Sequence, residues 1–290
     1  MNKPLFTGVC TAMVTPFLNG MINYPLMKML LQRQIDAGVK AVVISGTTGE
    51  ASTLSDREKT ELFRQCKAFA GDDCLIIAGT GSNSTAHTIE LSQAAQEAGA
   101  DALLVVSPYY NKATADGLFS HYLSVAHSVS IPVIMYNVPS RTGVDIPICV
   151  YKRLSRIPNI VGVKEANCDV AKICRIQNAC AKDFYIWSGN DDLTIPIMSI
   201  GGQGVISVAS NVCPEQMVAM TTAAINEDFE SAGEIQCALQ PLIDLLFCEV
   251  NPIPVKAAMA CLGYDCGGCR LPLTDLTAEN HKKLQGYFSS

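Results

Sequence analysis

A chain of 290 residues and 31.0 kDa, 49% apolar and 17% charged, has material for a large ordered core, arranged as two average domains or one large α/β barrel. A net charge of -6 and a pI near 5.2 leave no basic surface for nucleic acid or an anionic membrane. Mean hydropathy is +0.22, yet no apolar run reaches the roughly 18 residues of a membrane span. Met1 to Phe17, broken by Thr and Pro, lacks the basic start and apolar core of a signal peptide, so the expectation is a cytoplasmic protein.

From the amino terminus a short β-branched run and an amphipathic helix alternate. Val9 to Val14 is the first run, followed by a helix from Leu26 to Ala37 that stops at Gly38. Ala41 to Ser45 is the second, ending in Gly46-Thr47-Thr48-Gly49-Glu50. In the next helix Leu62, Phe63, Cys66, Phe69 and Ala70 share one face at three- and four-residue spacing. Leu75 to Ala78 leads to a helix carrying Ile89, Ala94, Ala95 and Ala98, and Ala102 to Val106 closes in Ser107-Pro108-Tyr109-Tyr110-Asn111. A helix from Gly117 to Ser128 precedes Pro132 to Met135, which ends in Tyr136-Asn137-Val138-Pro139.

A helix over Ile148 to Leu154 then leads to the sixth run, Ile160-Val161-Gly162-Val163-Lys164-Glu165-Ala166. Beyond it come a helix from Val170 to Ala181, the run Phe184 to Trp187, a short helix near Ile195, the run Gly204 to Val208 and a helix after Asn211. Eight such alternations predict a (β/α)₈ TIM barrel over residues 1–227. A doubly wound sheet competes, but no Gly-x-Gly-x-x-Gly follows the first strand. Residues 228–290 read as a C-terminal helical extension packed on the barrel. Ala232, Ile235, Leu239, Leu242 and Leu246 form a stripe, Pro252 and Pro254 interrupt before Val255 to Leu262, and Thr277 caps a last helix over Ala278 to Phe288.

The 13 cysteines are odd in number, and most fall inside apparent elements, including Cys66, Cys149, Cys174, Cys180, Cys237 and Cys248. They read as reduced thiols packed as small hydrophobes. Cys266-Gly-Gly-Cys269 lacks a second half-site, and His87, His121, His127 and His281 have no ligand spacing, so no zinc site is expected.

Lys164 lies at the end of a run that reads as buried on both faces, where an ammonium is costly unless paired or neutralised. A free amine there can attack a carbonyl and form a Schiff base. Barrel active sites form at the carboxyl ends of the strands. By that rule Thr47 and Thr48, Tyr110, Tyr136 and Lys164 point into one cavity, with Arg141 close behind. An amine, phenols, hydroxyls and a guanidinium make a Schiff-base site for a small keto acid. Singly, the threonines read as turn residues, the tyrosines as half-buried aromatics and Arg141 as a surface charge. Gly201-Gly202-Gln203-Gly204 precedes a strand and reads as a turn, not a phosphate loop. Convergence at one mouth favours the functional reading.

These segments resemble the dihydrodipicolinate synthase (4-hydroxy-tetrahydrodipicolinate synthase) family, within the superfamily of N-acetylneuraminate lyase and the class I pyruvate aldolases. The likeness is carried by Gly46 to Glu50, by Tyr136-Asn137-Val138-Pro139-Ser140-Arg141-Thr142 and by Gly162-Val163-Lys164-Glu165-Ala166. It runs from Phe6-Thr7-Gly8 through Gly204-Val205-Ile206-Ser207 to Asn251-Pro252-Ile253-Pro254-Val255-Lys256. The resemblance implies a homotetramer of tight dimers that condenses pyruvate with L-aspartate 4-semialdehyde in lysine and diaminopimelate biosynthesis, without a cofactor.

It further implies that Lys164 forms the Schiff base and that Tyr136, bonded to Thr47, moves protons, with Tyr110 completing the relay from the neighbouring subunit. Thr48 would hold the pyruvate carboxylate, Arg141 the carboxylate of the semialdehyde, and Gly189 and Ile206 would line the pocket. The paired threonines, Tyr109-Tyr110, Ser140-Arg141-Thr142 and Glu165-Ala166 resemble the synthase branch, and Arg141 suits a short carboxylate better than a sugar hydroxyl. Other readings are an N-acetylneuraminate or keto-sugar-acid lyase and a keto-acid-binding regulator without turnover. In lysine-inhibited members an inter-subunit pocket holds the end product. Asn83 and Tyr109 match it, but His87 stands where an acidic residue would be and Lys59 replaces a histidine, so feedback by lysine is expected to be weak or absent.

Overall fold

Eight parallel strands close on themselves in the computed structural model, which describes residues 3–289. Met1, Asn2 and Ser290, which the expected domain limits and the leader reading include, lie outside them. In chain order the strands are β1 (Gly8–Ala12), β2 (Ala41–Ile44), β3 (Leu75–Gly79) and β4 (Ala102–Val106). They continue as β5 (Val133–Asn137), β6 (Ile160–Glu165), β7 (Tyr185–Ser188) and β8 (Gly204–Ser207), and β8 pairs back onto β1. This is the expected (β/α)₈ barrel.

Alternation along each strand sorts the side chains into two apolar bodies. Ala41, Val43, Ala102, Leu104, Ile134, Tyr136, Trp187 and Ile206 fill the interior, while the other face of the strands packs under the surrounding helices. Phe6 closes the amino-terminal end by stacking on Trp187 at 4.8 Å, and the indole Nε1 donates to Phe6 O at 3.2 Å. Gly162 makes that plug fit: a Cβ there would sit 2.1 Å from Tyr185 O and 2.8 Å from the Trp187 ring.

The helices begin where capping chemistry allows. Ser55 and Glu58 form a reciprocal capping box on Asp56–Ala70, and Thr114 accepts from Gly117 N at the start of Ala115–Ser128. Several expected limits move by a few residues. Helix Val170–Ala179 ends before the extended Cys180, and β8 stops at Ser207 because a 3₁₀ turn, Ala209–Asn211, follows at once. A small hairpin, Phe17–Leu18 with Met21–Ile22, and a one-turn helix, Pro139–Thr142, have strands or helices too short for a periodic signal.

Past the barrel, helix Phe229–Leu246 packs on helix Pro214–Ile225, and Pro254 sits in the first turn of Ile253–Cys261, where a missing N–H is tolerated. The extension then returns to the barrel mouth. Lys256 Nζ reaches Glu50 Oε1 at 2.5 Å, and the Arg270 guanidinium grips both oxygens of Glu58 at 2.6 and 3.0 Å. That fork holds the Glu58 carboxyl down to about 2. No helix among the described residues is long and apolar enough to cross a membrane.

Candidate active site

The carboxyl end of the barrel holds a cavity of about 170 Å³ whose walls come from many strands. Thr47 and Thr48 enter after β2, Tyr136 on β5, Arg141 and Ser140 from the helix after β5, Lys164 on β6 and Gly189 after β7. A second cavity of about 690 Å³ shares Thr47, Tyr136, Arg141 and Asn251 and extends over Asp56, Lys59, Asn83, His87 and Tyr109.

Register explains the pairing at the centre. Tyr136 and Lys164 are direct partners across β5 and β6, so both side chains stand in the same inward row. Lys164 is 6% exposed and Tyr136 7%, and the ammonium lies 4.5 Å from the phenol ring centroid. Among the described residues no carboxylate or hydrogen-bond acceptor pairs with Lys164 Nζ. Its long-range counter-charge is Asp191, buried after β7, whose Oδ2 accepts from the N–H groups of Val208 and Ala209 at 3.0 Å each. Burial raises the Asp191 carboxyl above its ordinary value, and these bonds and the Lys164 charge act against that rise.

One residue along β6 the side chain points the other way, and the chemistry differs. Glu165 is fully buried and accepts from Asn137 Nδ2 at 2.7 Å, Asn167 N at 2.9 Å and Tyr151 OH at 3.0 Å, with Lys172 Nζ at 3.5 Å. Burial lifts its carboxyl while Lys172 opposes the lift. Lys172 also pairs with Asp145. This cluster fixes the ends of β5 and β6 from outside the barrel and so holds Tyr136 and Lys164 in register.

Backbone strain collects at the same mouth. Ser45, directly after β2, has φ 57 and Glu50 φ 56, both in the left-handed region that favours glycine. Lys256 and the N–H of Arg270 clamp the Glu50 carboxylate and hold the Thr47-Thr48 turn in this shape. Arg141 projects from its one-turn helix, which Gly143 caps in the left-handed conformation, and its Nη2 donates to Asn251 O at 3.3 Å.

The expected residues do not all meet in one chain. Tyr110 is 90% exposed with φ 70 and lies outside its own chain's cavities, although its neighbour Tyr109 lines the second one. Thr47 and Tyr136 line the same cavity, but no hydrogen bond joins their hydroxyls among the described residues. Ile206 is fully buried in the barrel interior, below the cavity lining, since β8 points it toward the Tyr136 layer.

At the second cavity the absence of a carboxylate, inferred from His87 and Lys59, is overturned by Asp56. Its Oδ2 lies 2.9 Å from His87 Nε2 and its Oδ1 3.7 Å from Lys59 Nζ, so the acid comes from the facing helix. Asp56, Asp191 and Asn251 were missed. Only the three-residue spacing of Asp56 and Lys59 hinted at a shared helical face.

Cys266 packs in the core and its backbone carbonyl accepts from Phe17 N at 2.8 Å. Burial pushes its thiol up to about 12 and that of Cys269 to about 11. Among the described residues no three His, Cys, Asp or Glu side chains are grouped to hold a metal.

The family model described as the Dihydrodipicolinate synthetase family matches residues 5–289. The 4-hydroxy-tetrahydrodipicolinate synthase of Acetivibrio thermocellus is 45% identical over 285 residues, covering 98% of this chain and 97% of that one. The fold superposes with a TM-score of 0.95 at 41% identity on a chloride-inhibited dihydrodipicolinate synthase from Acinetobacter baumannii complexed with pyruvate, covering 98% of each chain. The same TM-score, at 40% identity over 98% of this chain and 97% of the other, relates it to the enzyme from Cyanidioschyzon merolae with lysine bound. With a closed barrel, a buried unpaired lysine beside a tyrosine, and similarity along nearly its whole length, the chain belongs to the dihydrodipicolinate synthetase family.

Proposed function

We propose that Lys164 forms a Schiff base with pyruvate and that the resulting enamine attacks L-aspartate 4-semialdehyde, giving 4-hydroxy-tetrahydrodipicolinate for lysine and diaminopimelate synthesis. The observation that carries this reading is a buried amine with no direct ion-pair or hydrogen-bond partner among the described residues, 4.5 Å from a phenol ring, in a cavity of about 170 Å³. Such an amine adds to the pyruvate ketone, water leaves, and the iminium serves as the electron sink, so the chemistry asks for no cofactor. Loss of a methyl proton gives the enamine, whose carbon forms the new bond to the aldehyde. The product ring contains the nitrogen of the second substrate, so that amine displaces Lys164 and frees the enzyme.

Tyr136 stands beside Lys164 and moves protons for these steps, in line with Thr47. Thr48, 2% exposed, holds the pyruvate carboxylate, and Gly189 leaves room for it. Arg141 binds the carboxylate of the semialdehyde at the mouth. Tyr110, exposed and in a strained conformation, completes the relay in a second copy of the chain, which makes the tight dimer the catalytic unit and a tetramer of such dimers the assembly. Ile206 supports the Tyr136 layer from below. The enzyme works in the cytoplasm, a compartment suited to its exposed thiols Cys149, Cys168, Cys174, Cys237 and Cys248.

Borohydride reduction in the presence of pyruvate, followed by peptide mass spectrometry, tests the core of the proposal. A reduced pyruvyl adduct on Lys164 is expected, and no adduct, or an adduct elsewhere, overturns it. A coupled assay offering aspartate semialdehyde or N-acetylmannosamine then separates the synthase from a sugar-acid lyase.

A further inference from the structure

Asn251 belongs to the extension, yet it lines both cavities at the barrel mouth and is 5% exposed. Its side chain is committed on one side only. Nδ2 donates to Thr48 Oγ1 at 3.0 Å, while Oδ1 is buried without a hydrogen-bond partner. Buried acceptors are paired as a rule, so an orphan at a site marks a place where a ligand completes the bonding. The main chain of the same residue accepts from Arg141 Nη2 at 3.3 Å, so the guanidinium is seated on the residue that carries this orphan. Lys256 on Glu50 anchors the segment that follows, so Asn251 is held rigidly against the Thr47-Thr48 turn.

We infer that Asn251 is a specificity-determining residue that accepts a hydrogen bond from the amino group of the second substrate through Oδ1. The inference rests on the reading of Arg141 as the clamp for that substrate's carboxylate. In an α-amino acid the amine and the carboxylate share one carbon, so an acceptor beside the clamp meets the amine. The unused acceptor is then satisfied by an N–H of the bound ammonium, and once that group loses a proton its lone pair is available for the ring-closing attack while the N–H stays on Oδ1. Thr48 takes the amide's N–H, which keeps Oδ1 from rotating away and leaves the Thr48 hydroxyl proton for the pyruvate carboxylate.

The test compares aspartate semialdehyde with succinate semialdehyde, which has the same chain without the amine. In Asn251→Ala the KM for aspartate semialdehyde is expected to rise about tenfold to a hundredfold, as for a lost hydrogen bond to a charged group. The Ki of succinate semialdehyde should stay within about twofold, the size of an effect outside the hydrogen bond. Borohydride trapping of pyruvate should be unchanged. Asn251→Asp keeps an acceptor at this position and is expected to retain the preference for the amine-bearing compound, which also covers a failure of the alanine variant to fold. Equal weakening of both compounds, or no change in either, overturns the inference while leaving the Schiff-base reading intact. Absence of the pyruvate adduct in the unaltered chain overturns that reading and this inference with it.

Discussion

Lysines 164, 172 and 256 are all buried, with exposures of 6%, 5% and 4%, and only their surroundings tell them apart. Lys172 is paired with Asp145 and Glu165 behind the ends of β5 and β6. Lys256 sits between Glu50 Oε1 at 2.5 Å and Gly268 O at 3.2 Å, above the Phe17 ring. Among the described residues Lys164 has no paired carboxylate, an aromatic face beside it and open cavity in front. Burial by itself therefore does not mark a reactive lysine. Two of these charges are neutralised by carboxylates and hold the scaffold, and the third has no such partner among the described residues, as the proposed attack on a carbonyl carbon requires.

Lys164→Ala is expected to abolish both borohydride trapping and turnover while the melting temperature stays close to the parent's, since no ion pair is lost. Residual trapping with that variant would move the chemistry elsewhere. Lys256→Met should do the reverse. It leaves Glu50 buried and uncompensated, a loss of about 3–5 kcal/mol in denaturant unfolding, and pyruvate should still be trapped on Lys164 in the folded fraction. Adding Glu50→Gln should recover most of that stability; if the double variant is as unstable as the single one, the pair is not what fixes the extension to the mouth.

The barrel was legible because eight β-branched runs alternate with helices whose apolar faces repeat at helical spacing, as in Leu62, Phe63, Cys66 and Phe69. Lys164, Tyr136, Thr47 and Thr48 were legible because each follows the end of such a run. What escaped depends on distance in sequence. Asn251 meets Thr48 across 203 residues and Lys256 meets Glu50 across 206, and no local pattern encodes either contact. Asp56 escaped for another reason: a helix-start acid reads as dipole complement until the facing helix brings His87 to it. Tyr110 follows the expected strand, but its side chain is 90% exposed, which strand order does not specify.

Two further groups sharpen the contrast between a partnered and an open side chain. Tyr110→Phe keeps the ring and removes the hydroxyl, so turnover should fall about a hundredfold, the size of a lost proton-transfer partner, with pyruvate trapping largely intact. Equal loss of both would argue against the relay. His121 is a buried base outside the site, with Nδ1 against Thr85 Oγ1 at 2.9 Å and Nε2 without a partner among the described residues. Burial lowers it from 6.5 to about 4. A lowered value means that the unfolded chain takes up a proton first as the pH falls. His121 therefore leaves stability intact above pH 6.5 and removes about 2 kcal/mol by pH 5. His121→Phe should flatten that part of the stability profile, and an unchanged acid slope would show that the loss comes from other groups.

The smallest expected effect is at the second cavity, where the question is again whether a charge is already taken. A lysine ligand there needs an anion for its ammonium. Asp56 supplies one, but His87 Nε2 at 2.9 Å and Lys59 Nζ at 3.7 Å already share it. Lys59 is held partly buried, which lowers its affinity for the proton, and Asp56 opposes that shift. A bound lysine would have to displace both side chains or share with them a carboxylate that is already taken, and either route costs the binding it seeks. Feedback by lysine is therefore expected to be weak or absent in a steady-state assay, and inhibition at low millimolar lysine by the unaltered chain would refute this. Replacing both bases, Lys59→Ala with His87→Ala, frees Asp56 and should make lysine inhibit more strongly than it does the parent. If inhibition stays absent in the double variant, the competing side chains are not the obstacle and the shape of the cavity is.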